Sequence, residues 1–292
     1  MDFDNMTLDQ FQRQFNTEDA CAELIYRFKW PTGYFCPRCN HKYAYLTQTR
    51  RLPLYECMSC RHQTSLTTGT MLEGSRTPLR KWLLAIFLLS RTDQGTNAVQ
   101  LARVIQVTYK TAWLMLHKIR QSLHTADKQN KLTGTVQVNS AVYGRPYNPS
   151  VRKHPKEHFL IVGSSINEIG NANILKIQLV QSDNIQYRRI TRLDILTFNQ
   201  LHIDSQAANI ACNVGLYSPK RKRPLMKYAS LASKWLNQTF HGIGFKHLQI
   251  YLDEFCYRFN LTQLHQPIFR NLLNLIFSHT KIYTSHPLSM TS

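Results

Sequence analysis

With 292 residues, 43% of them hydrophobic, the chain is long enough for two or three domains and a sizeable core. Lys and Arg outnumber Asp and Glu by 36 to 17, so the formal charge of +19 points to a polyanionic partner, nucleic acid first of all. The opening Met1-Asp2-Phe3-Asp4 is acidic and has no apolar signal core. The longest apolar run, Trp82 to Leu89, is too short for a bilayer, so a cytoplasmic protein without a membrane partner is expected.

Residues 1–30 read as a helical lead-in. A zinc ribbon is expected over 31–68, where Cys36-Pro37-Arg38-Cys39 and Cys57-Met58-Ser59-Cys60 form two Cys-x-x-Cys knuckles seventeen residues apart. Each knuckle aims two thiolates at one centre, and alternation around Tyr43, Tyr45, Leu52 and Leu54 suits a returning hairpin. An iron centre is the rival metal, and chance spacing the bland alternative. Zinc held by Cys36, Cys39, Cys57 and Cys60 is structural, because four thiolates leave no position for water. By the same count His41 and His62 are surface residues. Cys21, Cys212 and Cys256 read as ordinary buried small side chains.

Residues 76–126 read as helices. Pro78 suits the first turn of a helix running through Leu89, a short second helix covers about 97–105 with Val99, Leu101 and Ala102 inward, and Thr108 caps a third. In the third helix Ala112, Leu116, Ile119 and Leu123 make one buried stripe. Lys110, Thr111, Trp113, His117, Lys118 and Gln121 fall on or beside the other face. Two helices, a short turn and a basic outer face fit a helix-turn-helix that reads duplex DNA; a helical bundle with a solvated basic face is the alternative.

From residue 133 the pattern turns to strands over 135–143, 158–166 and 173–180. A helix over 184–199, a short strand over 200–204 and helices over 205–212, 225–238, 246–260 and 267–278 are then expected. The run Lys220-Arg221-Lys222-Arg223 is either a solvated loop or a phosphate contact. Residues 281–292 read as a tail.

Four segments, in order, resemble the ISXO-type insertion-sequence transposases. They are the two cysteine knuckles; Gly69-Thr70 leading to Pro78-Leu79-x-x-Trp82; Leu101-Ala102 followed by Tyr109-Lys110-Thr111-Ala112-Trp113; and the helix from Lys246-His247-Leu248-Gln249 to Asn260. The resemblance implies a multi-domain protein: zinc ribbon, helix-turn-helix, and a C-terminal α/β ribonuclease-H-like domain over 133–280. It also implies double-stranded transposon ends as partner, a homo-oligomer, and a bacterial, nucleoid-associated setting.

The catalytic positions depart from the family pattern. Asn139 stands where the resemblance implies the first metal-binding acid, Asp204 matches the second, and counting back from Lys246 sets Met226 at the third. Two magnesium ions need anionic oxygens to offset their repulsion, so magnesium is expected only in a catalytically active protein. The implied function is a transposase-family DNA-binding protein with impaired catalysis. Its alternatives are an active transposase that recruits Glu157, Glu168, Asp183 or Asp194, and a ribbon and helix-turn-helix regulator of transcription.

Overall fold

The structure, a computed structural model, describes residues 3, 5–47, 52–91, 95–144, 157–167, 172–181, 190–214 and 224–277. Its contacts divide the chain into two compact units. The first combines Met1–Arg91, Ala98–Ser122 and Pro267–Ser292, and the second Thr92–Asn97 and Leu123–Gln266.

In the first unit, α1 (Leu8–Gln14) starts at a capping box in which Thr7 and Gln10 satisfy each other's backbone N–H, and α2 (Glu18–Lys29) is capped by Thr17. A three-stranded antiparallel sheet follows, with β1 (Ala44–Thr47), β2 (Leu54–Cys57) and β3 (Gln63–Ser65) in that order. α3 (Leu79–Ser90) begins after Pro78, which has no side chain to cap it; Glu18 of α2 does so instead, accepting the N–H groups of Leu79 and Arg80 at 2.9 Å each. A carboxylate at a helix N-terminus meets both orphan donors and the positive end of the dipole.

α4 (Ala98–Ile105) and α5 (Tyr109–Asp127) flank a turn at Gln106, whose φ of 52° is left-handed, and the Thr111 N–H bonds the Thr108 hydroxyl as the cap at Thr108 predicts. Leu101 faces inward as expected, but Val99 is exposed and Ile105 is buried in its place.

The last helix, α9 (Ile268–Phe277), packs on α2 and α3 in this unit, whereas the sequence reading attaches it to the C-terminal domain. The physical reason is a phenylalanine cluster: Phe269 meets Phe3, Phe11 and Phe87 at ring-centroid distances of 4.9, 5.5 and 5.6 Å, and Phe11 stacks on Phe87 at 4.2 Å. Such rings contribute both buried area and edge-to-face geometry.

The second unit is a sheet with helices on both faces. Its strand order is β6-β5-β4-β7, with β4 (Thr135–Tyr143), β5 (His158–Ile166) and β6 (Ala172–Leu179) forming an antiparallel meander and β7 (Asn209–Asn213) parallel to β4. α6 (Arg192–His202) makes the crossover on one face, over Val136, Val138, Phe159 and Ile161. Gly163 belongs to that contact, since a Cβ there would lie 2.6 Å from Phe198. α7 (Met226–Phe240) and α8 (Phe245–Gln263) cover the other face, over Ala141, Leu160, Val162, Leu175 and Ile177.

Helix α6 continues to His202, so the strand expected over 200–204 shrinks to a single bridge between Leu132 and Ile203; the segment expected as a helix over 205–212 instead holds β7. Small side chains at Ala207, Ala208 and Ala211 suit a helix by propensity, and pairing with β4 overrides them.

The outer edge of β6 is closed by side chains of α8. Asn260 receives the Leu175 N–H at 2.7 Å and donates to its carbonyl at 3.1 Å. Gln249 receives the Leu179 N–H at 2.6 Å and donates to Ile177 O at 3.0 Å. Two amides thus occupy the backbone groups that an open edge would offer to another strand.

Candidate metal centre and nucleic-acid interface

The four expected cysteines come together. Their Sγ atoms all lie within 4.8 Å of one another, with Cys36 to Cys60 and Cys39 to Cys57 at 3.5 Å. Tetrahedral zinc with bonds of about 2.3 Å requires sulfur separations near 3.8 Å, so the cluster fits that ion with little movement.

The knuckles are built alike. Cys36 N–H donates to His41 O and Asn40 N–H to Cys36 O; Cys57 N–H donates to His62 O and Arg61 N–H to Cys57 O. Each turn passes through a left-handed residue, Asn40 at φ 59° and Arg61 at φ 57°. His41 and His62 therefore serve through their carbonyls and lie outside the thiolate group. Burial works against the Cys36 thiolate, yet backbone donors at Arg38 and Cys39 outweigh it and bring the thiol down to about 6.

Beneath the ribbon Lys29 is buried, and its ammonium donates to the carbonyls of Ser65, Leu66 and Thr68 at 2.8, 3.1 and 2.6 Å. Burial pushes this lysine down to about 8. The inner face of the ribbon sheet is aromatic. Tyr55 stacks on Tyr34 at 5.7 Å and meets the edge of Trp30 at 4.9 Å, and burial raises both tyrosines to about 12. The lysine and the Glu18 cap were outside the sequence reading, because neither has a local signature; both act on segments 36 or more residues away.

On α5 the stripe Ala112, Leu116, Ile119 and Leu123 is buried as expected. Lys110, Lys118 and Gln121 are exposed, Thr111, Trp113 and His117 are half-buried, and the Trp113 and His117 rings stack at 4.9 Å. Lys220, Arg221, Lys222 and Arg223 lie outside the described residues, as do Glu168 and Asp183.

Asn139 and the start of α7 are brought together. Asn139 is 1% exposed; its Oδ1 accepts the Leu225 N–H at 3.1 Å, beside exposed Met226, and its Nδ2 donates to Val138 O at 3.0 Å. Asp204 is not brought to this point. It pairs with Leu132 ahead of β4, and its carboxylate accepts the Gln206 N–H at 2.8 Å in the turn that leads to β7. The β7 residue opposite Asn139 is Asn213, so Asp204 is displaced by at least four residues, about 13 Å along the strand. Asp194 is engaged in the Thr191 capping box and Glu157 is buried before β5. Among the described residues, the four cysteines are the one group of three or more Cys, His, Asp or Glu placed to hold a metal ion. No described helix is long and apolar enough to cross a membrane. Of the three cysteines set apart, Cys21 and Cys256 are buried and Cys212 is exposed on β7.

Comparison with known proteins agrees with the ribbon. No solved structure matches the chain. A stretch of 128 residues is 29% identical to an uncharacterized protein in transposable element ISH50 of Halobacterium salinarum, covering 44% of this chain. The chain spans 42% of that relative's length. Residues 16–63, which include all four cysteines, match the transposase zinc-ribbon domain, so the thiolate cluster and the helix beneath it are similar to the zinc-binding part of insertion-sequence transposases.

Proposed function

We propose that this protein is a DNA-binding member of an insertion-sequence transposase lineage whose strand-cleaving chemistry is impaired. The observation that carries the reading is the four-thiolate ribbon, matched over 16–63 by the transposase zinc-ribbon domain. Zinc would fix the ribbon and take no part in chemistry, since all four positions around it are filled by sulfur.

Helices α4 and α5 with the tight turn at Gln106 support a helix-turn-helix, and Lys110, Lys118 and Gln121 would face duplex DNA. A meander of three strands, a crossover helix and a fourth strand parallel to the first supports a ribonuclease-H-like second unit. Impaired catalysis rests on Asn139. Its amide has been recruited to hold the first turn of α7, so the place of the first acid has become a structural hydrogen bond.

The test is to incubate the full chain with duplex DNA from beside its own gene, with magnesium or manganese, scoring retention and nicking separately. Binding without nicking is the expected result. Cleavage abolished by Asp204→Ala would overturn the impaired reading, and no binding at low salt would overturn the whole.

A further inference from the structure

The ribbon sheet has two unlike faces. Alternation turns Tyr55 inward, against Tyr26, Trp30 and Tyr34, and turns its β2 neighbour Glu56 outward beside Tyr45 of β1, its cross-strand partner. Tyr43, which precedes β1 and lies two residues before Tyr45, is exposed as well. These two rings are 67% and 51% exposed, among the largest exposures of any apolar side chain described. Large aromatics on a small polar domain are ordinarily turned inward, as the four inner rings are.

The surroundings of the two rings are cationic. The Arg61 guanidinium lies over the Tyr45 ring at 5.5 Å while also pairing with Glu56 at 3.2 Å, and Arg38 and Lys42 are exposed on the same small domain. His41 meets the edge of Tyr43 at 5.6 Å. Glu56 is the sole acid of the ribbon, and its carboxylate already accepts from Gln63 at 2.9 Å and Arg61 at 3.2 Å. Two exposed π-faces two residues apart, with positive charge beside them, are what an unpaired polynucleotide needs: a platform for bases and cations for the phosphates that join them. A paired duplex offers its base faces to no such platform.

We propose that the outer face of the ribbon binds unpaired nucleotides, Tyr43 and Tyr45 stacking on successive bases while Lys42 and Arg61 take the phosphates. The site is separate from the α5 face proposed for duplex DNA and differs from it in chemistry, so the two can fail independently.

The experiment uses the full, zinc-loaded chain with a fluorescent single-stranded oligothymidylate and a duplex of the same length. Tyr43→Leu/Tyr45→Leu should weaken oligothymidylate binding by about fivefold to a hundredfold per ring while leaving duplex binding unchanged. Tyr43→Phe/Tyr45→Phe, which keeps the rings, should restore it. Lys110→Ala/Lys118→Ala should show the reverse pattern. One zinc per chain and an unchanged melting temperature in each variant exclude unfolding as the cause. Oligothymidylate affinity that survives the double leucine change, or that is lost equally in the phenylalanine pair, overturns the proposal. So does an equal loss of duplex and single-strand binding in the leucine pair. Reduced self-association in place of reduced oligonucleotide binding would make the face a contact between copies and equally overturn it.

Discussion

Replacing Asn139 by Asp tests the proposal that this position has exchanged a metal-binding acid for a structural hydrogen bond. In the parent, the amide sits 1% exposed, accepting from Leu225 N–H at 3.1 Å and donating to Val138 O at 3.0 Å. Asn139→Asp keeps the first bond and turns the second into two oxygens facing each other. The new carboxylate would be buried with one backbone donor, so its folded pKa must rise above the ordinary value near 3.9. A raised acid pKa means that the folded state holds the proton more tightly. The variant should therefore match the parent best at low pH and lose stability as pH rises through the folded pKa. The buried charge and the lost amide hydrogen bond together amount to about 2–4 kcal/mol at pH 8. Urea unfolding of parent and variant at pH 5 and pH 8 measures the difference. Asn139→Asp/Met226→Glu adds a second carboxylate one residue after Leu225, and magnesium at ten times its Kd should then return about 1.4 kcal/mol by binding the folded state alone. Asn139→Asp alone should not nick DNA even with magnesium, because it supplies a single carboxylate. An Asp variant as stable as the parent across that pH range, or nicking by the single variant, would refute the claim that Asn139 has become a structural bond.

Zinc should bind at one equivalent per chain, and Cys57→Ser should release it and lower the melting temperature; unaltered zinc in the variant, by atomic absorption, would remove the site. Glu18→Gln keeps the shape of the cap on α3 but not its charge, and should destabilise the chain by about 1 kcal/mol in urea, an effect reduced by salt. Lys110→Ala and Lys118→Ala should each lower duplex affinity at all sequences and reduce the salt slope by about one, as filter binding at several salt concentrations would reveal. Burial holds His202 down to about 4, so the unfolded chain takes up its proton first: stability should fall as pH drops from about 6.5 towards 4, and His202→Phe should flatten that part of the profile.

The ribbon was legible because its chemistry is local: two knuckles of four residues each carry their own spacing, and each closes through a carbonyl five residues on. The meander was legible for a similar reason, since Val, Ile and Leu mark the strands and the crossing glycines and asparagines bound them. What escaped depends on partners distant in sequence. β7 has only Ile210 to suggest a strand, and exists because β4 offers it a parallel edge. Glu18 looks like a first-turn acid of its own helix and does cap a helix, but the one it caps starts 61 residues away. Gln249 and Asn260 were visible as part of the closing-helix pattern, while their task, closing the edge of β6, required the strand they touch. Asp204 fits the motif through its neighbours Ile203 and Ser205, and the extra residues between the Leu132 bridge and β7 leave it away from Asn139.

The placement of α9 has a consequence for synthesis. Phe11 and Phe87 emerge from the ribosome early, yet the ring that closes over them, Phe269, comes only after the entire second unit has been made. At about 5–20 residues per second, the 180 or so residues between Phe87 and Phe269 leave this aromatic surface uncovered for roughly ten to forty seconds, long enough for the later unit to finish first. Any chain that stops or shifts frame before residue 268 would carry an intact set of zinc ligands on a permanently unfinished hydrophobic core. Such truncated products should be recognised as misfolded and degraded while the full chain persists.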